Sequence, residues 1–250
     1  MPLYALKLLG GVLEVNSGFV GQVRALGLAP LFFDYLSLEH ANNNVHNIRL
    51  CRALVMAGGM GAAQLQALGA ADKVCAVLQY AHHNNVEPFL EPVLDLCGAI
   101  MAGDAREVAG GSSQGEVLAV FLQQLPVFMD LCSHPEAPVA VAASQCLAEL
   151  VSLYPQETAG WVLSNDGAAI LAAALRGLHL EGDAAPPPRM QQHVLAAVNA
   201  ALAADPSVGT SSAELDQLLT ALRELEASGE GVVRDAAAVV ADLLANAAGR

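Results

Sequence analysis

The strongest constraint on this chain is that it repeats itself. A gapless shift of forty-two residues lays Gln22-Val-Arg-Ala-Leu-Gly27 on Gln64-Leu-Gln-Ala-Leu-Gly69. The same shift lays Lys7 on Arg49, Leu8 on Leu50, Leu13 on Val55, Leu36 on Leu78, and His40-Ala-Asn-Asn43 on His82-His-Asn-Asn85. Within each copy, apolar residues recur at three- and four-residue intervals over three short segments, the spacing of amphipathic helices. A unit of that size cannot bury its apolar face alone, so its copies must stack.

A period near forty built from three helices predicts an all-α fold, a right-handed armadillo/HEAT-type α-solenoid of about five three-helix repeats with the outer ones incomplete. Composition agrees. Hydrophobic residues make up 54% of the chain, charged ones 14% and aromatic ones 4%. Ala- and Leu-rich segments suit closely packed helices, and β-branched and aromatic residues are too sparse for an all-β fold.

The segments follow in order. Leu3–Val15 reads as a long helix, followed by a short one ending at Gly27 and a third starting at Pro30. Ser17 is placed to cap the short helix, and Gly27 tolerates the left-handed turn that ends it. The second unit opens at Asn43 or Asn44, and the third runs from Asn85 to about Ala102, with a kink expected at Pro92. Ser133 and Glu136 have capping-box spacing at the start of the fourth. Residues 103–115 and 180–188, rich in Gly, Ser, Pro and charge, read as surface insertions in a single 1–250 repeat domain. The first helix would spread Leu3, Tyr4, Leu6 and Leu8 around most of its circumference, so either the chain is the C-terminal piece of a longer protein or something docks there. Self-association through that uncovered helix is one expected outcome.

Charge narrows the partners. Up to His83 there are five basic and four acidic residues; beyond it, six basic residues face twenty-one acidic ones. Such a surface repels a nucleic-acid backbone and favours basic segments. Ala53–Ala71 is uncharged, but its glutamines, glycines and alignment with an amphipathic stretch argue against a membrane span. Cys51, Cys75, Cys97, Cys132 and Cys146 lie in apolar runs without a C-x-x-C pair, which fits packing thiols in a reducing, cytoplasmic setting.

Catalytic patterns are missing from the spacing. His40, His46, His82 and His83 fall near two successive inter-helix turns, and a metal-binding or enzymatic site built on them is the alternative to an interaction module. No nucleophile, base and orienting group can be assembled from the spacing, so a non-enzymatic protein without a cofactor is the expectation.

Pro2-Leu-Tyr-Ala-Leu-Lys-Leu-Leu9, Leu13-Glu-Val-Asn16, Leu38-Glu-His40, and Ser144-Gln-Cys-Leu147 with Leu150-Val-Ser-Leu-Tyr154 occur in an order that resembles the C-terminal armadillo/HEAT region of the fourth unc-51-like kinase, of the Fused-related pseudokinase family. The resemblance implies a ciliary or cytoskeletal scaffold beside a Fused-type kinase or axonemal and microtubule-associated proteins. Any kinase activity would belong to a domain that is not in this chain. It also implies a peptide groove along the long helices. Aligning the units places Lys7, Arg49, Glu91, Gln145 and Leu195 where such arrays carry tryptophan. Gly11, Ala53, Asp95, Glu149, Asn199 and Asp242 fall where they carry asparagine, and only Asn199 keeps that type. The candidate groove is therefore Lys7, Arg49, Glu91, Asp95, Gln145, Glu149, Asn199 and Asp242, grading from basic to acidic.

Overall fold

The computed structural model describes residues 3–16, 18–57, 60–109, 116–178, 180, 185–205, 213–229 and 231–247. Among them the chain is all-α, with fifteen helices and no strand. Its contacts cluster into two units, Met1–Gln124 and Leu125–Arg250. Each is a stack of helical repeats, the construction of an α-solenoid.

The first unit contains α1 (Leu3–Val15), α2 (Phe19–Ala25), α3 (Ala29–Asp34), α4 (Val45–Met56), α5 (Ala62–Ala67), α6 (Ala70–His83), α7 (Glu87–Ala109) and α8 (Glu116–Leu122). The long helices form the spine, with α1 packed on α4 and α4 on α7. Leu6, Leu13, Ile48, Leu50, Leu54, Val93, Leu94 and Cys97 are buried along it. Two local devices set the repeat. Gly27 and Gly69 both adopt positive φ, +66° and +57°, the conformation that only glycine enters without Cβ strain. After α2, the Leu28 amide donates to the Val23 carbonyl at 3.1 Å and the Gly27 amide to that of Arg24 at 2.8 Å, which closes the helix end. At the start of α4, Asn44 Oδ1 accepts from the amides of His46 and Asn47 at 3.0 and 3.2 Å. Buried Asn47 then donates from Nδ2 to the Phe32 carbonyl at 3.0 Å, tying α4 to the preceding helix.

One expectation needs correction here. Helix α7 runs through Pro92 and on to Ala109, past the expected end at Ala102. Ala102, Ala105, Arg106 and Glu107 are strong helix formers, and Gly103 alone is too weak a breaker to stop them. Of the expected insertion at 103–115, residues 110–115 lie outside the described residues, as do Ser17 and 181–184. Of the apolar residues spread around α1, Leu6 is fully buried, whereas Leu3, Tyr4 and Leu8 are exposed.

The second unit contains α9 (Leu125–Leu131), α10 (Ala137–Leu153), α11 (Pro155–Val162), α12 (Asn165–Arg176), α13 (Pro188–Ala204), α14 (Ala213–Ser228) and α15 (Gly231–Ala247). Its spine is α10 on α13 and α13 on α15, backed by α9, α12 and α14 in contact. Leu147, Leu150, Val198, Leu218, Leu222 and Val240 fill the core. The Ser133/Glu136 capping box does not form. His134 Nδ1 accepts the Glu136 amide at 3.1 Å, and the helix starts one residue later, at Ala137.

Candidate protein-interaction site

The long helices present one register repeatedly. In the first unit Lys7 on α1, Arg49 on α4 and Glu91 on α7 are all exposed, as expected for side chains one repeat apart on successive stacked helices. Asp95, one turn beyond Glu91, is half-buried and meets Arg52 Nε at 3.3 Å, an ion pair that bridges α4 and α7. Sequence alignment by repeat did not single out Arg52. Its partner lies forty-three residues on, so the link becomes visible only when α4 lies against α7.

In the second unit Gln145 is exposed on α10 and donates from Nε2 to Glu149 Oε1 at 2.9 Å. Asn199 is exposed on α13, whereas Leu195, also aligned with the tryptophan-like positions, is buried. Asp242 on α15 pairs with Arg223 of α14 at 2.7 Å. On α12, Arg176 grips Glu224 of α14 through two nitrogens at 2.7 and 3.2 Å. Those hydrogen bonds hold the Glu224 carboxyl below its ordinary range. Asp95, Glu224 and Asp242 are thus each matched by an arginine of a neighbouring helix. Glu91, Gln145 and Asn199 stay exposed.

The histidines are not gathered into a ligand set. His40 stacks on Tyr35 with ring centroids 4.4 Å apart, and its Nδ1 accepts the Asn42 amide at 3.1 Å. Among the described residues no group of three or more His, Cys, Asp or Glu is placed to hold a metal ion. The five cysteines are buried and form no disulfide. Burial, with Asp72 adding to it, pushes the Cys75 thiol up to about 12, and burial with Asp130 does the same at Cys132. Such thiols are poor nucleophiles at neutral pH. Ser144 and His193 meet at 3.3 Å between α10 and α13, but the serine hydroxyl donates to the Val141 carbonyl at 2.8 Å. Its proton is therefore not offered to the imidazole, and the pair serves as a bridge between helices.

The first unit also carries an apolar groove of about 750 Å³ on the outer side of α1, floored by Gly11 and walled by Tyr4, Leu8, Val12, Val15 and Phe19. The sequence pointed to this helix, but not to the hollow that Gly11 leaves. No described helix is long and apolar enough to cross a membrane.

Comparison with known proteins agrees with this geometry. The family described as the RUNKEL ARM-repeat domain matches residues 28–120. These residues are similar to armadillo repeats. The serine/threonine-protein kinase RUNKEL of Arabidopsis thaliana is 29% identical over 113 residues, which is 45% of this chain and 8% of the relative's length. The matched stretch thus spans only a small part of that kinase's length.

Proposed function

We propose that this chain is a non-catalytic protein-interaction scaffold whose long helices carry the binding surface. The observation behind this reading is the exposed register of Lys7, Arg49 and Glu91 on three consecutively packed helices. A core needs no such repetition of exposed charge at one position. A surface that follows an extended segment does.

The partner that fits is a protein segment with basic side chains and apolar anchors. Each exposed pairing is worth about 0.2–1 kcal/mol, so several must act together. The named relative is a serine/threonine-protein kinase, and the sequence resembles a Fused-related pseudokinase region. We therefore place the scaffold in a kinase-type assembly, with a Fused-type kinase or axonemal and microtubule-associated proteins as partners and the cytoplasm or cilium as its site of work. The catalytic activity of such an assembly resides outside these repeats.

Capture of proteins from ciliated-cell lysate by the wild-type chain and by a Glu91→Lys/Asp95→Lys/Glu149→Lys variant tests the reading. The wild-type chain is expected to recover a kinase or microtubule-associated protein, with binding that weakens as salt rises. The variant is expected to lose it. Identical recovery by both, at equal salt tolerance, would show that the binding surface lies elsewhere.

A further inference from the structure

From the trough between α2 and α5 we infer a second docking site, which takes an acidic segment of a partner protein, an aspartate or glutamate flanked by apolar side chains. It lies apart from the charged register on the long helices. The trough measures about 610 Å³, and both of its walls belong to successive repeats of the first unit. Gly21 and Arg24 of α2 form one wall and Gln64 and Ala67 of α5 the other, with buried Met60 at the floor. A Cβ at Gly21 would meet nothing within 4 Å, so space remains beside the arginine. Among the described residues no carboxylate pairs with Arg24, whereas Arg52 and Lys73 of the same unit are each matched by an aspartate.

The repeat itself shows what packing alone needs. Forty-two residues on, Arg24 becomes Gln66 and Pro30 becomes Asp72. Those residues line the corresponding hollow, against Val120 of α8, and it measures only about 240 Å³. Stacking of the short helices thus requires neither the wide trough nor the arginine. The two hollows also differ in sign, since the first carries a cation and the second a carboxylate, so the first attracts an anion and the second repels one. A guanidinium whose fork of donors is free matches a carboxylate through two parallel hydrogen bonds. Across the trough, the Gln64 carboxamide offers a donor and an acceptor to a backbone passing between the walls. Met60 supplies an adaptable apolar lining for the neighbouring side chain. The trough is open along one side, whereas small-molecule sites enclose most of their ligand, so an extended chain is the occupant that fits.

Selection of a displayed library of random peptides on the full chain tests this, followed by fluorescence polarisation with a labelled synthetic copy of the enriched consensus. The wild-type chain is expected to enrich peptides with Asp or Glu beside Leu, Ile, Val or Met, and their binding is expected to weaken as salt rises. Arg24→Glu, which reverses the charge, and Gly21→Leu, which fills the trough from an exposed helix position, are each expected to weaken binding by at least about tenfold. Far-UV circular dichroism is expected to stay unchanged in both. The Glu91→Lys/Asp95→Lys/Glu149→Lys variant, altered only in the register on the long helices, is expected to bind the consensus peptide as the wild-type chain does. Enrichment of no acidic peptides overturns the inference. So does a consensus peptide that binds both α2 variants as tightly as the wild-type chain, or one that is lost in the triple variant alone.

Discussion

Replacing Leu147 by alanine tests the assignment of faces in the second unit. Leu147 is fully buried on α10, whereas Gln145, two residues earlier, is exposed. The substitution removes three carbons, worth roughly 2.4 kcal/mol of lost transfer free energy at about 0.8 kcal/mol each. A residual hole of roughly 50 Å³ adds about 1.2 kcal/mol. The expected cost is therefore about 3.5 kcal/mol, against less than about 0.5 kcal/mol for Gln145→Ala. The assay is urea unfolding followed by tryptophan fluorescence. Trp161 is the chain's one tryptophan and lies in the second unit, on α11, with 57% of its surface exposed. Its signal follows the unit that the substitution perturbs. A cost below about 1 kcal/mol for Leu147→Ala, or a cost for Gln145→Ala as large, would refute the packing register of α10.

Three further outcomes are expected. Asn44→Ala removes the side chain that receives the His46 and Asn47 amides, and should cost about 1 kcal/mol in the first unit, read as a shift in its denaturation midpoint. A double-mutant cycle on Arg52 and Asp95 should yield a coupling of only about 0.2–1 kcal/mol, because both side chains stay partly exposed, and that coupling should shrink with salt. His193 is held below the ordinary histidine value, chiefly by burial and further by Arg189, with the Val141 carbonyl opposing. The folded state therefore binds fewer protons than the unfolded one. Stability is full above the unfolded value of about 6.5 and declines as pH falls toward the lowered folded value. His193→Gln should flatten melting temperature against pH in that window, and an unchanged slope would refute the assignment.

The sequence carried the fold because the repeat is written into it at two levels. Gln22–Gly27 and Gln64–Gly69 match residue for residue at their ends, and both closing glycines take the same left-handed turn. Asn44 announced its cap because a helix start needs a nearby acceptor. What could not be read were links across the stack. Arg52 with Asp95, Arg176 with Glu224 and Arg223 with Asp242 join separate helices, and sequence separation hides them. The capping box at Ser133 failed because His134 competed for the same amide, a choice that depends on side-chain geometry. The histidines near the turns looked like a cluster in sequence, yet His40 turns onto Tyr35. The candidate groove was legible as a register, but not in its charge balance.

The recurrence of one left-handed glycine at Gly27 and Gly69 bears on how such a chain can change length. Cutting after Gly27 and rejoining after Gly69 removes forty-two residues and leaves every apolar face opposite the kind of neighbour it had before. Lengthening by the same amount does likewise, since each helix interacts mainly with the next in line. Changes of other sizes inside the spine rotate one face away from its partner by about 100° per residue, the helical step, and expose it. Length in this architecture is therefore quantised, and drift is confined to the connections between helices.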